Sequence, residues 1–432
     1  MAILKAVRGT RDLLPPETAL WNHVEATARA VFARYAFGEI RTPIFEDTAL
    51  FARGVGEETD IVSKEMYTWE DRARADSDTA QSLTLRPENT AGVVRAYIEH
   101  KLADTGMLQK LFYIGPQFRR ERPQRGRYRQ FWQIGAEVLG PAWSGADSAL
   151  RDAEVLEMLS TFLNELGVKG WKLELNSVGS STDRPRYIAA LREALAPVKE
   201  RMSADNQRRI ETNPLRVLDS KAPEDQEIIN GLPRVADFLD DESKEHFAQV
   251  LAALDACGVA YTVNPRLVRG LDYYTRTTFE FTVPDGSGLG TQNALLGGGR
   301  YDGLSEMLGG PKAPGIGFAI GEDRLILTLQ AQGEAAAVAE KKLDAFLAPM
   351  GLAQNAAALV LAQELRRAGL AIEIGDGSFR LKKSFEAADK LARRMVIVGE
   401  DEMASGILTV KDFSAGQQTK VPRADLADFL RG

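Results

Sequence analysis

Six arginines crowd one short stretch of this chain. In the middle of residues 110–140 (KLFYIGPQFRRERPQRGRYRQFWQIGAEVLG), Arg119, Arg120, Arg122, Arg125, Arg127 and Arg129 meet a single acid, Glu121. Both ends of the stretch alternate, which predicts an antiparallel hairpin with a basic tip. Period 2 puts Trp132, Ile134, Ala136 and Val138 on one face of the second strand, and Phe131, Gln133, Gly135 and Glu137 on the other. One face suits a core; the other offers an aromatic ring, an amide, a gap and a carboxylate. The same count aligns Tyr113, Gly115, Gln117, Arg119 and Glu121 on the first strand. A plain exposed strand disfavours glycine, whereas a ligand that approaches the backbone closely calls for it. Residues 267–303 carry two tyrosines in LVRGLDYYTRTTFEFTV and end in GGGRYDG. In GIGFAIGEDRLILTL, Ile316, Phe318 and Ile320 share one strand face, Gly315, Gly317, Ala319 and Gly321 the other, and Arg324 falls in the first turn of the next helix. A smooth strand face beside an arginine can host a flat ring and a phosphate. The bland alternatives are a solvated hairpin face and tight helix-on-sheet packing around the glycines.

The rest of the inventory narrows the chemistry. A single cysteine, Cys257, excludes an intramolecular disulfide and a zinc site of two or four cysteines from one chain. His23, His100 and His246 share no ligand spacing, so neither a histidine metal site nor a Ser-His-Asp apparatus is expected. Neither a Walker motif nor a dinucleotide-binding GxGxxG is present. Carboxylates and arginines are left to do the work. At 432 residues, with 44% hydrophobic and 27% charged residues, the composition is that of a soluble globular protein of two or three domains. The net charge of -7 divides into -9 for the body and +2 for residues 341–432, which hold 14 Lys/Arg against 12 Asp/Glu. An acidic body does not forbid a nucleic-acid partner, because binding follows local clusters. No apolar run approaches the roughly 18 residues of a membrane span, and the first residues carry no signal-peptide core, so no membrane association and a cytoplasmic location are expected.

These groups need elements to hold them. Residues 17–36 have helical spacing, and EIRTPIFE after Gly38 alternates like an edge strand with Pro43 inside it. Residues 55–80 read as loop and hairpin, and 82–101 as a short strand, a turn at Pro87 and a helix. A long amphipathic helix is predicted over 145–167, and polar helical segments without strand signal over about 180–255 suggest a helical insertion. Strand character returns at Tyr261, and DRLILTLQAQ is the last helix of a body spanning 1–330. Residues 331–342 are an Ala-rich linker candidate, and 343–432 alternate strand and helix as βαβαβ units do, with helices at 353–369 and 383–394. No internal repeat is visible.

The helix and strand ending at Pro43, the FRxE of 118–121 and the GxGxxxGxxR of 315–324 resemble the three signature motifs of class II aminoacyl-tRNA synthetases. RGTRDLLPPE (8–17), TLRPE (84–88), RPQRGRYRQF (122–131), NPLRVLDSK (213–221), LVRGLDYYTRT (267–277) and GGGRYDGL (297–304) are similar, more closely, to the histidyl-tRNA synthetases, and the likeness runs nearly the whole chain. The resemblance implies an α+β fold: an antiparallel sheet flanked by helices, a helical insertion and a C-terminal α/β anticodon-binding domain, in a homodimer. It implies L-histidine, ATP with Mg²⁺ and tRNA(His) as partners, and a histidyl-adenylate intermediate. Carried over residue by residue, Arg119 holds the α-phosphate, Glu121 the adenine amino group, and Phe131 stacks on the ring, which Arg324 covers from the other side while reaching the γ-phosphate. Arg269 neutralises the reacting phosphate and carboxylate, so Arg269 and Arg119 are the catalytic pair. Glu88, Thr90 and Gln133 surround the α-amino group; Glu137 and Tyr274, with Tyr273 beside them, hold the imidazole. Arg122 and Gln124 meet the tRNA acceptor end. The metal's protein ligands are not identified. Two residues depart from the common pattern: Asn89, where glycine is frequent, and Trp132, where a histidine or another aromatic is. The rival with another function is the synthetase-like regulatory subunit of ATP phosphoribosyltransferase, expected to lack the C-terminal domain and parts of the arginine set. A class II enzyme for another amino acid would not explain LVRGLDYY together with Glu137, and an RNA-binding module would not need the Gly-faced strand.

Overall fold

The computed structural model describes residues 3–56, 59, 61–71, 81–269, 273–289, 293–334 and 342–432. By contacts the chain divides at Ala339/Glu340 into two compact units. The first opens with α1 (Glu17–Arg34), whose Leu20, Trp21, Val24, Ala28, Val31 and Phe32 make one buried stripe. The edge strand expected over EIRTPIFE is broken. β1 (Gly38–Glu39) and β2 (Phe45–Asp47) join different sheets, with Pro43 between them unable to donate to a ladder. After α2 (Thr48–Val55), β3 (Tyr67–Asp71) and β4 (Gln81–Leu85) pair antiparallel, the hairpin anticipated there, and with β2 form a three-stranded sheet.

The large sheet starts after α3 (Thr90–Glu99) with β5 (Gln109–Phe118) and β6 (Gln130–Leu139), antiparallel with Gly115 opposite Gln133. α4 (Ala149–Glu165) is capped by Ser148, whose side chain accepts from the Leu150 N–H. β7 (Lys172–Ser177) follows, a strand with no counterpart in the sequence pattern; its six residues are too short a run to stand out beside the helix before it. The helical stretch is α5 (Asp183–Leu195), α6 (Ala204–Thr212), α7 (Gln226–Asn230) and α8 (Asp241–Cys257), with 3-10 turns between them. Tyr187, Leu191, Leu215, Ile229 and Leu239 form a small core of their own. α8, capped by Asp240 and ended by left-handed Gly258, buries Val250 and Leu254 in the main core instead. Next come β8 (Thr262–Val263), β9 (Thr275–Thr282), β10 (Ala294–Arg300), α9 (Leu304–Met307), β11 (Gly315–Gly321) and α10 (Glu322–Ala331). The sheet order is β1-β5-β6-β11-β10-β9-β7-β8, antiparallel except for the β1/β5 and β7/β8 pairs. Its apolar face packs on the buried stripes of α1, α4, α8 and α10, with Phe32 against Phe112, Phe162 and Phe318. The other face, with Gln133, Glu137, Gly297 and Gly317, is left for chemistry.

The second unit has β12 (Leu343–Pro349), α11 (Asn355–Arg367), β13 (Ile372–Ile374), α12 (Leu381–Leu391) and β14 (Ala392–Val398), with β13 and β14 parallel to β12. α12 stops three residues before the expected 394, because Ala392 already enters the ladder opposite Leu343. α13 (Glu400–Ser405), the antiparallel β15 (Ile407–Asp412) and β16 (Gln418–Pro422), and α14 (Leu426–Arg431) complete it. Most of the linker candidate 331–342 lies outside the described residues. Among the described residues no helix is long and apolar enough to cross a membrane.

Candidate active site

The polar face of β6, β9, β10 and β11 floors a cleft of about 1010 Å³ lined by Arg119, Glu121, Phe131, Gln133, Arg269 and Arg324, among others. A second cavity of about 170 Å³ adjoins it, sharing Arg119, Gln133 and Arg269 and adding Glu88, Thr90, Tyr113, Tyr273, Tyr274 and Tyr301. Strand alternation does this: β5 and β6 send every second residue to one side, and β10 and β11 supply glycines there. A Cβ at Gly317 would overlap the Glu137 carboxylate, and one at Gly297 the Arg269 guanidinium. Glycine is required at both because another side chain occupies the space, Glu137 from β6 and Arg269 from the segment after β8.

Glu137 is fully buried and lies behind the cavity lining. One carboxylate oxygen accepts from the Thr90 hydroxyl (2.7 Å) and the other from the Tyr301 hydroxyl (2.6 Å). Burial, reinforced by the nearby Glu88 charge, pushes it up to about 8 despite these donors. Glu88, in the turn before α3, accepts from the backbone N–H groups of Thr90 (2.7 Å) and Ala91 (3.1 Å), and burial raises it too. Gln133 is buried with no hydrogen-bond partner for Oε1 among the described residues, an acceptor left open beside Glu88. Tyr273 and Tyr274 pack with centroids 4.8 Å apart, and Tyr273 meets Tyr301 edge-on at 5.9 Å. Burial holds all three phenols, and Tyr113, above their usual range, so they remain donors at neutral pH. Tyr113 and Tyr301 carry no role in the sequence pattern alone, although both stand in glycine-containing stretches; GGGRYDG in particular puts a tyrosine directly after a glycine-rich strand.

On the cleft side, Arg119 donates through Nε to the Pro87 carbonyl (2.9 Å) and lies 5.2 Å over the Phe131 ring. Glu121 faces Arg127 at 3.4 Å, and burial raises its carboxyl. Arg324, in the first turn of α10, donates to the Ala294 carbonyl (2.8 Å). Arg269 is ion-paired with Glu280 of β9; burial opposes its charge, but Glu280 together with Tyr274, Asp219 and Tyr273 outweighs burial and keeps the guanidinium protonated. Gly270, Leu271 and Asp272, which follow Arg269, lie outside the described residues. Arg122 and Gln124 are exposed on the β5–β6 loop and stand apart from both cavity linings. Asn89 is buried and accepts from the Thr42 hydroxyl (2.5 Å), so it braces the turn before α3. Trp132 is on the core face, edge-on to Trp21 at 5.9 Å. Among the described residues no group of three or more His, Cys, Asp or Glu side chains could hold a metal ion.

Residues 9–325 match the family model for histidyl-tRNA synthetase, and residues 344–432 that for an anticodon binding domain. The chain is 66% identical over 430 residues to the histidine–tRNA ligase of Koribacter versatilis (strain Ellin345), covering 99% of this chain and 96% of that one. It is 51% identical to the histidine–tRNA ligase of Solibacter usitatus (strain Ellin6076), covering 99% of both. The crystal structure of apo S. aureus histidyl-tRNA synthetase matches with a TM-score of 0.81 at 36% identity, covering 100% of each chain.

Proposed function

The chain belongs to the histidyl-tRNA synthetase family of class II enzymes, and on that premise we propose that it ligates L-histidine to tRNA(His) with ATP through histidyl-adenylate. The observation that carries this reading is the pairing of cavities. A small pocket with a buried Glu137–Tyr301–Thr90 network opens onto a larger cleft set with Arg119, Arg269, Phe131 and Arg324. A neutral imidazole has one N–H and one bare nitrogen, which a carboxyl and a phenol at fixed positions can satisfy together. We assign that pair to Glu137 and Tyr274, with Tyr273 packed alongside. Glu88, Thr90 and Gln133 take the ammonium, Gln133 through its open oxygen.

In the first step the histidine carboxylate oxygen attacks the α-phosphorus of ATP, a C–O–P linkage forms, and the bridging bond to pyrophosphate breaks. Charge gathers on the phosphoryl oxygens, where Arg119 and Arg269 supply fixed donors that need little reorganisation. Phe131 and Glu121 hold the adenine, Arg324 the outer phosphates. Mg²⁺ enters as part of the substrate, on those phosphates. In the second step a ribose hydroxyl at the 3′ end of tRNA attacks the acyl carbon and AMP leaves. We assign Arg122 and Gln124 to the acceptor end, residues 343–432 to the anticodon, the homodimer as the working assembly and the cytoplasm as its place. Full-length similarity to proteins named as ligases, with all three arginines present, speaks against the regulatory-subunit alternative. Exchange of pyrophosphate into ATP, assayed with each of the twenty amino acids, tests the assignment. Exchange is expected with histidine; strong exchange with any other amino acid overturns it.

A further inference from the structure

The RGTRD stretch near the start of the chain touches no substrate in the scheme above, yet it lies across the ATP side of the site. Gly9, at φ +91°, accepts from the Arg129 backbone N–H (2.7 Å), and a Cβ there would press on Arg129 and Pro123 of the β5–β6 loop. Arg11 then spans two elements. Its guanidinium stacks 4.7 Å over the Tyr128 ring, in that same loop, and donates to Oδ1 of Asp323 at 2.9 Å. Asp323 is buried in the first turn of α10, accepts from the Trp132 N–H through its other oxygen (3.1 Å), and directly precedes Arg324. Glu17 holds the remaining side of the guanidinium at 2.9 Å.

We propose that Arg11 is a positioning residue for ATP: it fixes the distance between the β5–β6 loop and the start of α10, and so the gap in which Arg127 and Arg324 face the nucleotide. This rests on the family reading above. Arg11 is absent from the cleft lining, so it acts through Tyr128 and Asp323 and not by contact. A planar guanidinium can stack on a ring and donate to a carboxylate at once, which an ammonium cannot reproduce. Loss of the clamp loosens only the nucleotide side, since the cavity lined by Tyr274 and Tyr301, with Glu137 behind it, shares no residue with the clamp.

The test is histidine-dependent pyrophosphate exchange on the full chain, with KM for ATP and for histidine and the Tm measured for wild type, Arg11→Gln, Arg11→Lys and Tyr128→Leu. Arg11→Gln is expected to raise the ATP KM roughly tenfold, in line with the cost of a small misplacement remote from the chemistry, with the histidine KM and Tm unchanged. Tyr128→Leu should reproduce the defect and add little in the double variant, and Arg11→Lys should fall between. An unchanged ATP KM, or equal rises in both KM values that track a loss of Tm, overturns the proposal. If Arg11→Gln fails to fold, the same two outcomes are read from Arg11→Lys. A wild type without histidine-dependent exchange would instead overturn the family reading on which the proposal stands.

Discussion

At the scale of single residues, the site turns on groups whose burial makes each unpaired atom costly. Glu137 and Tyr274 are proposed to read the imidazole, and a buried polar partner left unsatisfied costs about 1–3 kcal/mol. Glu137→Gln and Tyr274→Phe are therefore expected to raise the histidine KM by one to two orders of magnitude with little change for ATP. Steady-state exchange kinetics decide, and an effect confined to the ATP KM would contradict the pocket assignment. Arg269 admits two roles, catalytic donor or mere partner of Glu280. As a donor to the developing phosphoryl charge, its change to His should lower the rate of adenylate formation by roughly 10² to 10³ with the fold intact. As a structural partner it should lower Tm, as should Glu280→Gln, and leave the rate per folded molecule nearly intact. Single-turnover adenylate formation beside thermal unfolding separates these, and a loss below about tenfold in a stable variant rejects the catalytic role.

At the scale of elements, β5 and β6 carry both halves of the site chemistry because one face of a hairpin of two ten-residue strands is long enough to reach from Glu137 to the loop. Within the loop at its end, Arg122 and Gln124 are exposed and stand apart from both cavity linings, and they can pair with guanine edges or phosphates. The double change Arg122→Ala with Gln124→Ala is expected to slow transfer to tRNA while sparing adenylate formation. Equal losses in both steps, followed by rapid quench, would remove the loop from acceptor recognition.

Across the molecule, buried carboxyls set how stability follows pH. Glu322, at the start of α10, is fully buried with neither oxygen hydrogen-bonded among the described residues, and burial beside Glu25 and Asp323 pushes it up to about 9. Glu137 reaches about 8. The folded protein thus holds two protons that the unfolded chain releases near 4.5. Their contribution is full below that pH and is lost as pH rises towards 8 and 9, by about 1.4 kcal/mol per pH unit per group. Asp152 works in the opposite sense: burial alone would raise it, but Arg300 at 2.6 Å and His246 at 2.8 Å hold it down at about 2. Its contribution is present above about 3.8 and lost on acidification. Glu322→Gln is expected to flatten the fall of Tm between about pH 5 and 9, measured by calorimetry across buffers. A slope equal to wild type would show that Glu322 titrates normally.

Much of this was written in residue order. Period 2 at residues 131–138 and 315–321 separated core face from ligand face, because alternation is a local property of an extended backbone. The arginine-rich loop and the paired tyrosines marked the site for the same reason: each motif is contiguous. What the sequence alone left undecided is long-range. That Glu137 meets Tyr301, 164 residues away, and that Arg269 meets Glu280 and Arg11 meets Asp323, depends on which strands become neighbours. No local periodicity encodes that. Likewise the division of the helical stretch, with α8 joining the main core and α5 to α7 enclosing their own, was settled by which apolar stripe found a partner surface. Amphipathic spacing says that a helix must bury a face, and only the assembled sheet determines against what.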